Sequence, residues 1–238
     1  MRKTVYAAGA LSMLAALTFA APAQAGGKHD GGRHDSDDAR LSVLHGVPGV
    51  TVDVWVNGKL TLDNFEPGTL AGPLKLDDGS YKIAITASDA TSADNPVIGP
   101  VKVHLKEGRN YTAVAHLDAS GTPTASLFKN DTSASPKGEG KLTVRHVAAA
   151  PAVDVLAGGT PVIEGLENPE QEVLTLKAGT VSASVAAAGT TEPLIGPADV
   201  PVTKGKNTIV YAWGSLKDDT LGVAVQVVDS AKWHGHDD

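Results

Sequence analysis

The chain repeats its own pattern at an interval of about 100 residues, and this constrains the fold more than any other feature. Leu41–His45 (LSVLH) recurs as Leu142–His146 (LTVRH), and eight residues after each histidine a Val-Asp-Val segment follows. Further matches are Leu74–Gly79 with Leu174–Gly179, and Pro96–Pro100 with Pro193–Pro197. The interval drifts by a few residues along the repeat, so insertions must fall in loops. Two homologous domains of about 90 residues are therefore predicted rather than one large domain.

Within each copy the hydrophobic residues recur with a period of two, as in Thr51–Val56, Tyr81–Ile85 and Val101–Leu105. Such alternation is typical of strands with one buried face. Turn signals separate these segments, namely Asn57-Gly58, Asp78-Gly79, Glu107-Gly108, Gly158-Gly159 and Lys204-Gly205. The pattern predicts an all-β fold of two tandem immunoglobulin-like antiparallel β-sandwich domains. A closed barrel in each copy is the alternative.

The N-terminal residues have the features of a secretory signal peptide. Arg2 and Lys3 precede an apolar stretch from Val5 to Ala21, and Ala23-Gln24-Ala25 forms an A-x-A cleavage site. Gly26–Ala39 contains no large apolar residue and is predicted to be a disordered arm. The predicted organisation is a signal peptide (1–25), a His/Asp/Gly-rich arm (26–39), domain 1 (40–129), a linker (130–140), domain 2 (141–229) and a His/Asp-rich tail (230–238).

Composition excludes several classes of function. The chain contains no cysteine, which rules out disulfide frameworks, thiolate catalysis and iron–sulfur clusters. Its formal charge is −7 and its basic residues do not cluster, which argues against a nucleic-acid partner. No segment after the signal peptide is apolar enough to span a bilayer. We therefore expect a secreted, extracellular protein, and its low aromatic content of 4% weakens the case for a sugar-binding face.

One polar constellation is duplicated, His45 with Asp53 and His146 with Asp154. If each pair flanks a hairpin, the imidazole and the carboxylate face each other across the ladder within contact distance. A general base or a metal site is one interpretation, but no nucleophile or stabilising group recurs at a matched position. The interpretation favoured here is structural: the histidine donates a hydrogen bond to the aspartate or to backbone and so fixes a loop.

Two further groups are candidates for binding. Trp55 lies in an alternating strand opposite Val54 and Val56, which makes it a candidate surface aromatic residue. The two ends of the chain contain four histidines among aspartates, and their imidazoles are candidate ligands for zinc, nickel or copper: His29, His34, His234 and His236. Such a site on flexible tails would be weak, and solvated polar tails explain the same residues.

The second copy resembles a known family. Val144–Val155 (VRHVAAAPAVDV), followed by Gly158-Gly159, Leu174–Gly179 and Lys204-Gly205, is similar to domain-of-unknown-function family 4397. The first copy keeps the His, Pro, Asp and valines in His45–Val54 but places its proline three positions closer to the histidine. The resemblance implies tandem bacterial β-sandwich modules that are secreted or bound to the envelope. It implies no established activity and assigns no functional residue.

These observations favour a secreted, non-catalytic structural or interaction module at the cell surface, without a cofactor. Its expected partners are a cell-wall polymer or an extracellular protein. One alternative is an extracellular metal-binding protein that uses the tails. Another is a hydrolase whose site lies between the domains, which would require unlike residues from the two copies and a deep interdomain cleft.

Overall fold

The computed structural model describes residues 38–232, and every regular element in that range is a β-strand. The first eight strands are β1 (Ala39–His45), β2 (Val52–Val56), β3 (Lys59–Phe65), β4 (Leu70–Leu76), β5 (Gly79–Ala87), β6 (Ile98–Leu105), β7 (Asn110–Leu117) and β8 (Pro123–Lys129). The next eight are β9 (Glu139–Ala149), β10 (Val153–Ala157), β11 (Thr160–Leu166), β12 (Gln171–Lys177), β13 (Gly179–Ala187), β14 (Pro193–Val202), β15 (Lys206–Ser215) and β16 (Gly222–Asp229). Among the described residues no helix is long and apolar enough to cross a membrane.

Each copy folds into two four-stranded sheets with the same connectivity. In the first copy, inner sheet 1 has the order β4-β1-β7-β8 and outer sheet 1 has the order β3-β2-β5-β6. In the second copy, inner sheet 2 has the order β12-β9-β15-β16 and outer sheet 2 has the order β11-β10-β13-β14. All pairings are antiparallel except β1 with β7 and β9 with β15, which are parallel. The all-β prediction of two tandem sandwiches is confirmed.

Four of the five turn signals lie between strands, as predicted, and in the fifth, Asp78-Gly79, the glycine is the first residue of β5. Asn57 and Gly58 have φ values of 51° and 77°, and Gly158 and Gly159 have φ values of 56° and 82°. Two successive positive φ values are those of the type I′ turn, whose twist matches that of the strands it joins. The two turns therefore close equivalent hairpins, β2–β3 and β10–β11, and account for the conserved spacing of the repeat at this point.

Each sandwich has its own apolar core between its inner and outer sheets. Core 1 includes Leu41, Val43, Val54, Ile85 and Leu105, and core 2 includes Leu142, Val144, Val155, Val185 and Val202. With few aromatic residues available, both cores consist mainly of aliphatic side chains, each of which contributes about 1.5–3 kcal/mol when fully buried.

A third apolar cluster joins the two sandwiches. Its members come from both inner sheets: Leu44, Val114, Phe128, Val147, Ile209, Tyr211, Ala224 and Val228. The molecule therefore has four layers in the order outer sheet 1, inner sheet 1, inner sheet 2 and outer sheet 2. We call the packed region between the two inner sheets the central layer. It leaves the central strands of the inner sheets buried on both faces, as in β7 and β9.

Candidate functional site

The duplicated histidine forms the same local structure in both sandwiches. His45 ends β1, and its Nε2 lies 2.8 Å from the Val50 carbonyl oxygen, while its Nδ1 accepts a hydrogen bond of 3.4 Å from the Val47 N–H. His146 lies in β9, with its Nε2 3.0 Å from the Pro151 carbonyl oxygen and its Nδ1 3.4 Å from the Ala148 nitrogen. Each imidazole thus spans the loop that follows its strand.

The duplicated aspartate binds the neighbouring strand of its outer sheet, β3 in the first copy and β11 in the second. Asp53 Oδ1 accepts a hydrogen bond of 2.9 Å from the Asn64 N–H, and Asp154 Oδ1 accepts one of 2.8 Å from the Gly165 N–H. Asp154 Oδ2 also accepts from the Gly189 N–H at 2.7 Å. Of the two partners that the structural interpretation allowed for the histidine, aspartate or backbone, the hydrogen bonds of the structure show backbone. The carboxylates accept from backbone N–H groups where the β2–β3 and β10–β11 ladders shift register, and such N–H groups need a partner outside the ladder.

The hydrogen bonds determine the protonation of these histidines. Since Nδ1 accepts from a backbone N–H, the proton of the neutral ring must lie on Nε2, where it is donated to the carbonyl oxygen. Burial lowers the pKa of both His45 and His146, and the bonds to backbone carbonyls oppose this only in part. Both ring nitrogens are therefore engaged in hydrogen bonds to backbone groups in each copy.

Trp55 is not a surface residue. It lies in β2, a central strand of outer sheet 1, and it is only 8% exposed. Its Nε1–H donates a hydrogen bond of 2.9 Å to Thr86 Oγ1 on the neighbouring strand β5. The prediction failed because alternation was taken to mean one buried face, whereas β2 is buried on both faces. A buried indole requires an acceptor for its N–H, and Thr86 supplies one.

The proposed metal ligands His29, His34, His234 and His236 lie outside the described residues, so the metal-binding hypothesis stays a prediction. Within residues 38–232, no group of three or more His, Asp or Glu side chains is arranged to hold a metal ion.

A buried polar cluster lies in the central layer and surrounds Arg145, whose side chain is fully buried. Its three nitrogen atoms donate in three directions: Nε to Gln171 Oε1 at 2.8 Å, Nη1 to Tyr211 Oη at 2.6 Å and Nη2 to Asn130 Oδ1 at 2.8 Å. The guanidinium also lies 4.4 Å from the centroid of the Phe128 ring, in cation–π contact. Phe128 and Asn130 belong to the first sandwich and its linker, so Arg145 binds across the layer.

Arg145 has no carboxylate partner among the described residues. The ion pairs found there involve other side chains, such as Lys141 with Asp131 at 2.7 Å. Burial lowers the pKa of the Arg145 guanidinium, while the neighbouring Tyr211 acts in the opposite direction. A buried charge is tolerated only when its donors are satisfied, and here neutral amide and phenol oxygens together with an aromatic face take that role.

A chain of hydrogen bonds extends from Arg145 to the first sandwich. Tyr211 Oη donates to Gln226 Oε1 at 2.6 Å, and Thr112 Oγ1 of β7 donates to the same oxygen at 2.9 Å. Gln226 Nε2 donates in turn to Ser42 Oγ of β1 at 3.1 Å. These partners lie on four different strands, two in each inner sheet. The network is therefore directional and holds one register between the sandwiches, which an apolar layer alone would not specify.

The third buried histidine, His116, also lies on this side of β7. Its Nδ1 donates to the Leu117 carbonyl oxygen at 2.9 Å and its Nε2 accepts from Ser126 Oγ at 2.9 Å. Burial lowers its pKa, and the nearby His146 contributes in the same direction. Both ring nitrogens are again occupied.

The linker is tied to both sandwiches. Asn130 is 1% exposed; its Nδ2 donates to Asn110 Oδ1 of β7 at 2.6 Å, and its Oδ1 accepts from Arg145 of β9. Asn207 Nδ2 of β15 donates to the Asp131 carbonyl oxygen at 3.1 Å. A polar recess lies beside it, lined by Arg109, Lys129, Asn130, Asp131, Thr132, Ser133 and Ala231. None of the predicted site residues lines this recess. The central layer itself consists of packed side chains, and the buried members of its apolar cluster are at most 8% exposed.

Sequence reasoning did not identify the central layer, although a signal was present. In the aligned repeat, Leu44 is equivalent to Arg145 and Val114 is equivalent to Tyr211. In each case one copy has an apolar residue and the other has a large polar residue. Both lie on the face of the strand that points away from the domain core. This pattern indicates that the two copies pack against each other through these faces. The resemblance to a family could not reveal this, since it describes one domain at a time.

Comparisons with curated proteins and with solved structures add no activity. No curated protein matches the chain. Among solved structures, the chain is similar to the Bacillus anthracis TIE protein, with 14% sequence identity and a TM-score of 0.21, over 73% of this chain and 35% of that one. The chain thus spans about a third of the length of that protein.

The family match begins at β1 and ends in β10, so it covers the whole first sandwich, the linker and the start of the second sandwich. It includes Val144–Val155, on which the resemblance was based, whereas Leu174–Gly179 and Lys204-Gly205 lie beyond it. The predicted family is confirmed: residues 39–156 belong to the family described as "Domain of unknown function (DUF4397)".

Proposed function

We propose that this protein is an exported, non-catalytic interaction module whose two sandwiches act as one rigid body. The observation that carries the proposal is that the buried histidines already have hydrogen-bond partners within the protein. His45, His116 and His146 each use both ring nitrogens in internal hydrogen bonds. A general base needs a ring nitrogen within reach of the proton that it removes. The polar residues thus serve to hold loops and layers in place.

The alternative of a hydrolase with an interdomain site is less well supported. Such a site needs a cleft between the domains and unlike groups from the two copies. Unlike groups are present, Arg145 and Tyr211 against Phe128 and Thr112, but they are packed and hydrogen-bonded to each other. A substrate would have to displace this layer, which is also the contact between the sandwiches.

Binding without turnover can be tested with the mature chain, residues 26–238, immobilised through a tag. The column is challenged separately with cell-wall fragments and with culture supernatant of the producing bacterium. We expect one fraction to contain a component that is retained, that saturates the purified protein in calorimetry and that keeps its mass after prolonged incubation. Bait unfolded in urea serves as the control for adsorption. Conversion of the component into a product, or retention from neither source, would contradict the proposal.

Export is tested separately. We expect mature protein isolated from the medium or envelope of a bacterial host to begin at Gly26, because Ala23 and Ala25 occupy the small-residue positions of the cleavage site. Replacing both alanines by arginine should leave the precursor uncleaved. The matched change of Ala7 and Ala8 to leucine should still give the cleaved, mature protein. N-terminal sequencing gives the answer, and cytoplasmic accumulation of the unprocessed wild-type chain would contradict this part of the proposal.

A further inference from the structure

The edge strands of the four sheets differ in how they are protected. Each sheet leaves two strands with one unpaired side, and a row of free N–H and C=O groups on such an edge can pair with another chain. Natural proteins usually place proline or charged side chains there. Seven of the eight edge strands follow this rule. Their protecting residues are Lys59 and Asp63 in β3, Pro73 in β4, Pro100 in β6, Pro123 in β8, Glu164 in β11, Glu172 in β12, and Pro197 and Asp199 in β14.

Strand β16 is the exception. From Gly222 to Val228 it contains neither proline nor a charged residue, and only its final residue, Asp229, is charged. The regular ladder with β15 runs along its entire length without a bulge. The other side of the strand lies at the edge of inner sheet 2. Valine is among the residues that most favour strands, so β16 presents a long, regular and unprotected edge.

The strand also exposes an apolar stripe. Val223, Val225 and Val227 are 45%, 49% and 51% exposed, whereas the alternating residues Ala224, Gln226 and Val228 are buried towards the central layer. The equivalent residues of the first sandwich, Ala125 and Leu127 of β8, are half-buried, because β6 packs against that strand. The second sandwich thus leaves Val223 and Val225 uncovered where the first sandwich covers its own apolar residues, and the first sandwich has the charged Lys129 in place of Val227.

The stripe is self-complementary. In an antiparallel pair centred on Val225, Val225 lies opposite the same residue of a second copy, and Val223 lies opposite Val227. All three valines then fall on one face of the joined sheet, because opposite residues in an antiparallel ladder point to the same side. Two copies of an acidic chain, with a formal charge of −7, can also meet along Gly222–Val228 without placing like charges opposite each other.

We propose that β16 pairs with β16 of a second copy in an antiparallel homodimer. Inner sheet 2 of one copy and inner sheet 2 of the other then form one continuous sheet. The pairing satisfies the free backbone groups of both edges and covers the valine stripe. A two-fold contact of this kind is closed, since it uses the same strand of both copies and leaves no further β16 edge for a third. This inference is independent of whether the module binds a ligand.

The mass of the mature protein in solution tests the proposal. Sedimentation equilibrium should give twice the mass of one chain for the wild type and the mass of one chain for Val225→Lys, which places a charge opposite its own copy. Val162→Lys is the matched control, since Val162 is 44% exposed on the edge strand β11, and it should remain dimeric. A wild-type protein that stays monomeric up to about 1 mM would overturn the proposal, as would a dimer that Val225→Lys leaves intact.

The register is tested with a single cysteine. Because the chain has no cysteine of its own, the variant Val225→Cys carries only one thiol. Opposite residues in an antiparallel pair bring their Cβ atoms to about 4.5–5.5 Å, close to the range that a disulfide spans. Mild oxidation should therefore yield a covalent dimer rapidly for Val225→Cys and slowly for Val162→Cys. Equal rates for the two variants would overturn the proposed pairing, whatever the mass measurement gives.

Discussion

Arg145 donates to three acceptors that point in three directions, and this geometry suits a guanidinium but not an ammonium group. We expect Arg145→Met to lower the free energy of unfolding by about 2 kcal/mol, because Asn130, Gln171 and Tyr211 each lose a donor while the cost of burying the charge is removed. Arg145→Lys should cost more than Arg145→Met, since it keeps the buried charge and cannot satisfy all three acceptors. Urea unfolding at neutral pH measures both.

The matched control at this scale is Arg40→Met. Arg40 is an exposed arginine in β1, and its replacement should change the free energy of unfolding by no more than about 0.5 kcal/mol. If the Arg145→Lys protein were as stable as the wild type, the three-directional donation by the guanidinium would not be needed, which would contradict the role assigned to Arg145.

Single residues were predicted unevenly from the sequence. The duplication singled out His45 and His146, and the structure engages both rings in hydrogen bonds to backbone groups. The duplication did not identify their acceptors, the Val50 and Pro151 carbonyls, since backbone groups carry no sequence signal. Trp55 was misassigned because the burial of its strand depends on tertiary packing that alternation does not report.

At the scale of elements, the turn between β3 and β4 docks on strand β15 of the other sandwich. A Cβ atom added to Gly68 would lie 2.8 Å from Cζ2 of Trp213, and Gly68 has a φ of +76°. Gly58 provides a matched comparison, since its φ is +77° and nothing lies within 4 Å of its Cβ position. We expect Gly58→Ala to cost about 1 kcal/mol through backbone strain alone. Gly68→Ala should cost about 2–3 kcal/mol, because the Trp213 ring must also move.

The same pair of substitutions in a Trp213→Ala background isolates the contact. With the ring removed, Gly68→Ala and Gly58→Ala should have equal effects on urea unfolding, because only the backbone conformation then distinguishes glycine from alanine. A difference that persists in this background would show that the turn does not depend on Trp213.

Elements were the most predictable level of the structure. Alternation and glycine-containing turns locate strands because both reflect local geometry, and the Asn57-Gly58 and Gly158-Gly159 hairpins formed where they were predicted. What alternation could not show is that β7 and β9 are buried on both faces. That burial arises from the central layer, where residues such as Arg145 and Thr112 meet only after both copies have folded.

At the scale of the whole molecule, the central layer couples the two sandwiches. Its apolar cluster draws on both inner sheets, and the bonds of Gln226 reach β1 and β7. Unfolding one sandwich would expose Leu44 and Val114 of one copy or Ile209 and Tyr211 of the other, which are fully buried in the folded molecule. Cooperative units are set by shared buried surface rather than by the boundaries of repeats, so the two copies should unfold in one transition.

The acid sensitivity of that transition follows from the three buried histidines. Burial lowers the pKa of His45, His116 and His146 below the ordinary value of 6.5. The stability that their neutral forms contribute is therefore complete above pH 6.5 and is lost as the pH falls below it towards the folded-state values, because the unfolded chain binds protons that the folded chain does not.

We expect the free energy of unfolding to fall below pH 6.5 by up to about 1.4 kcal/mol per pH unit for each histidine, with both sandwiches melting together. His116→Gln should reduce the maximum slope by about 1.4 kcal/mol per pH unit, the contribution of one proton, whether or not it changes stability at neutral pH. Calorimetry across this range measures the slope and the number of transitions together. Equal slopes for the wild type and His116→Gln would show that His116 is protonated in the folded molecule, and two separate transitions would show that the central layer does not couple the sandwiches.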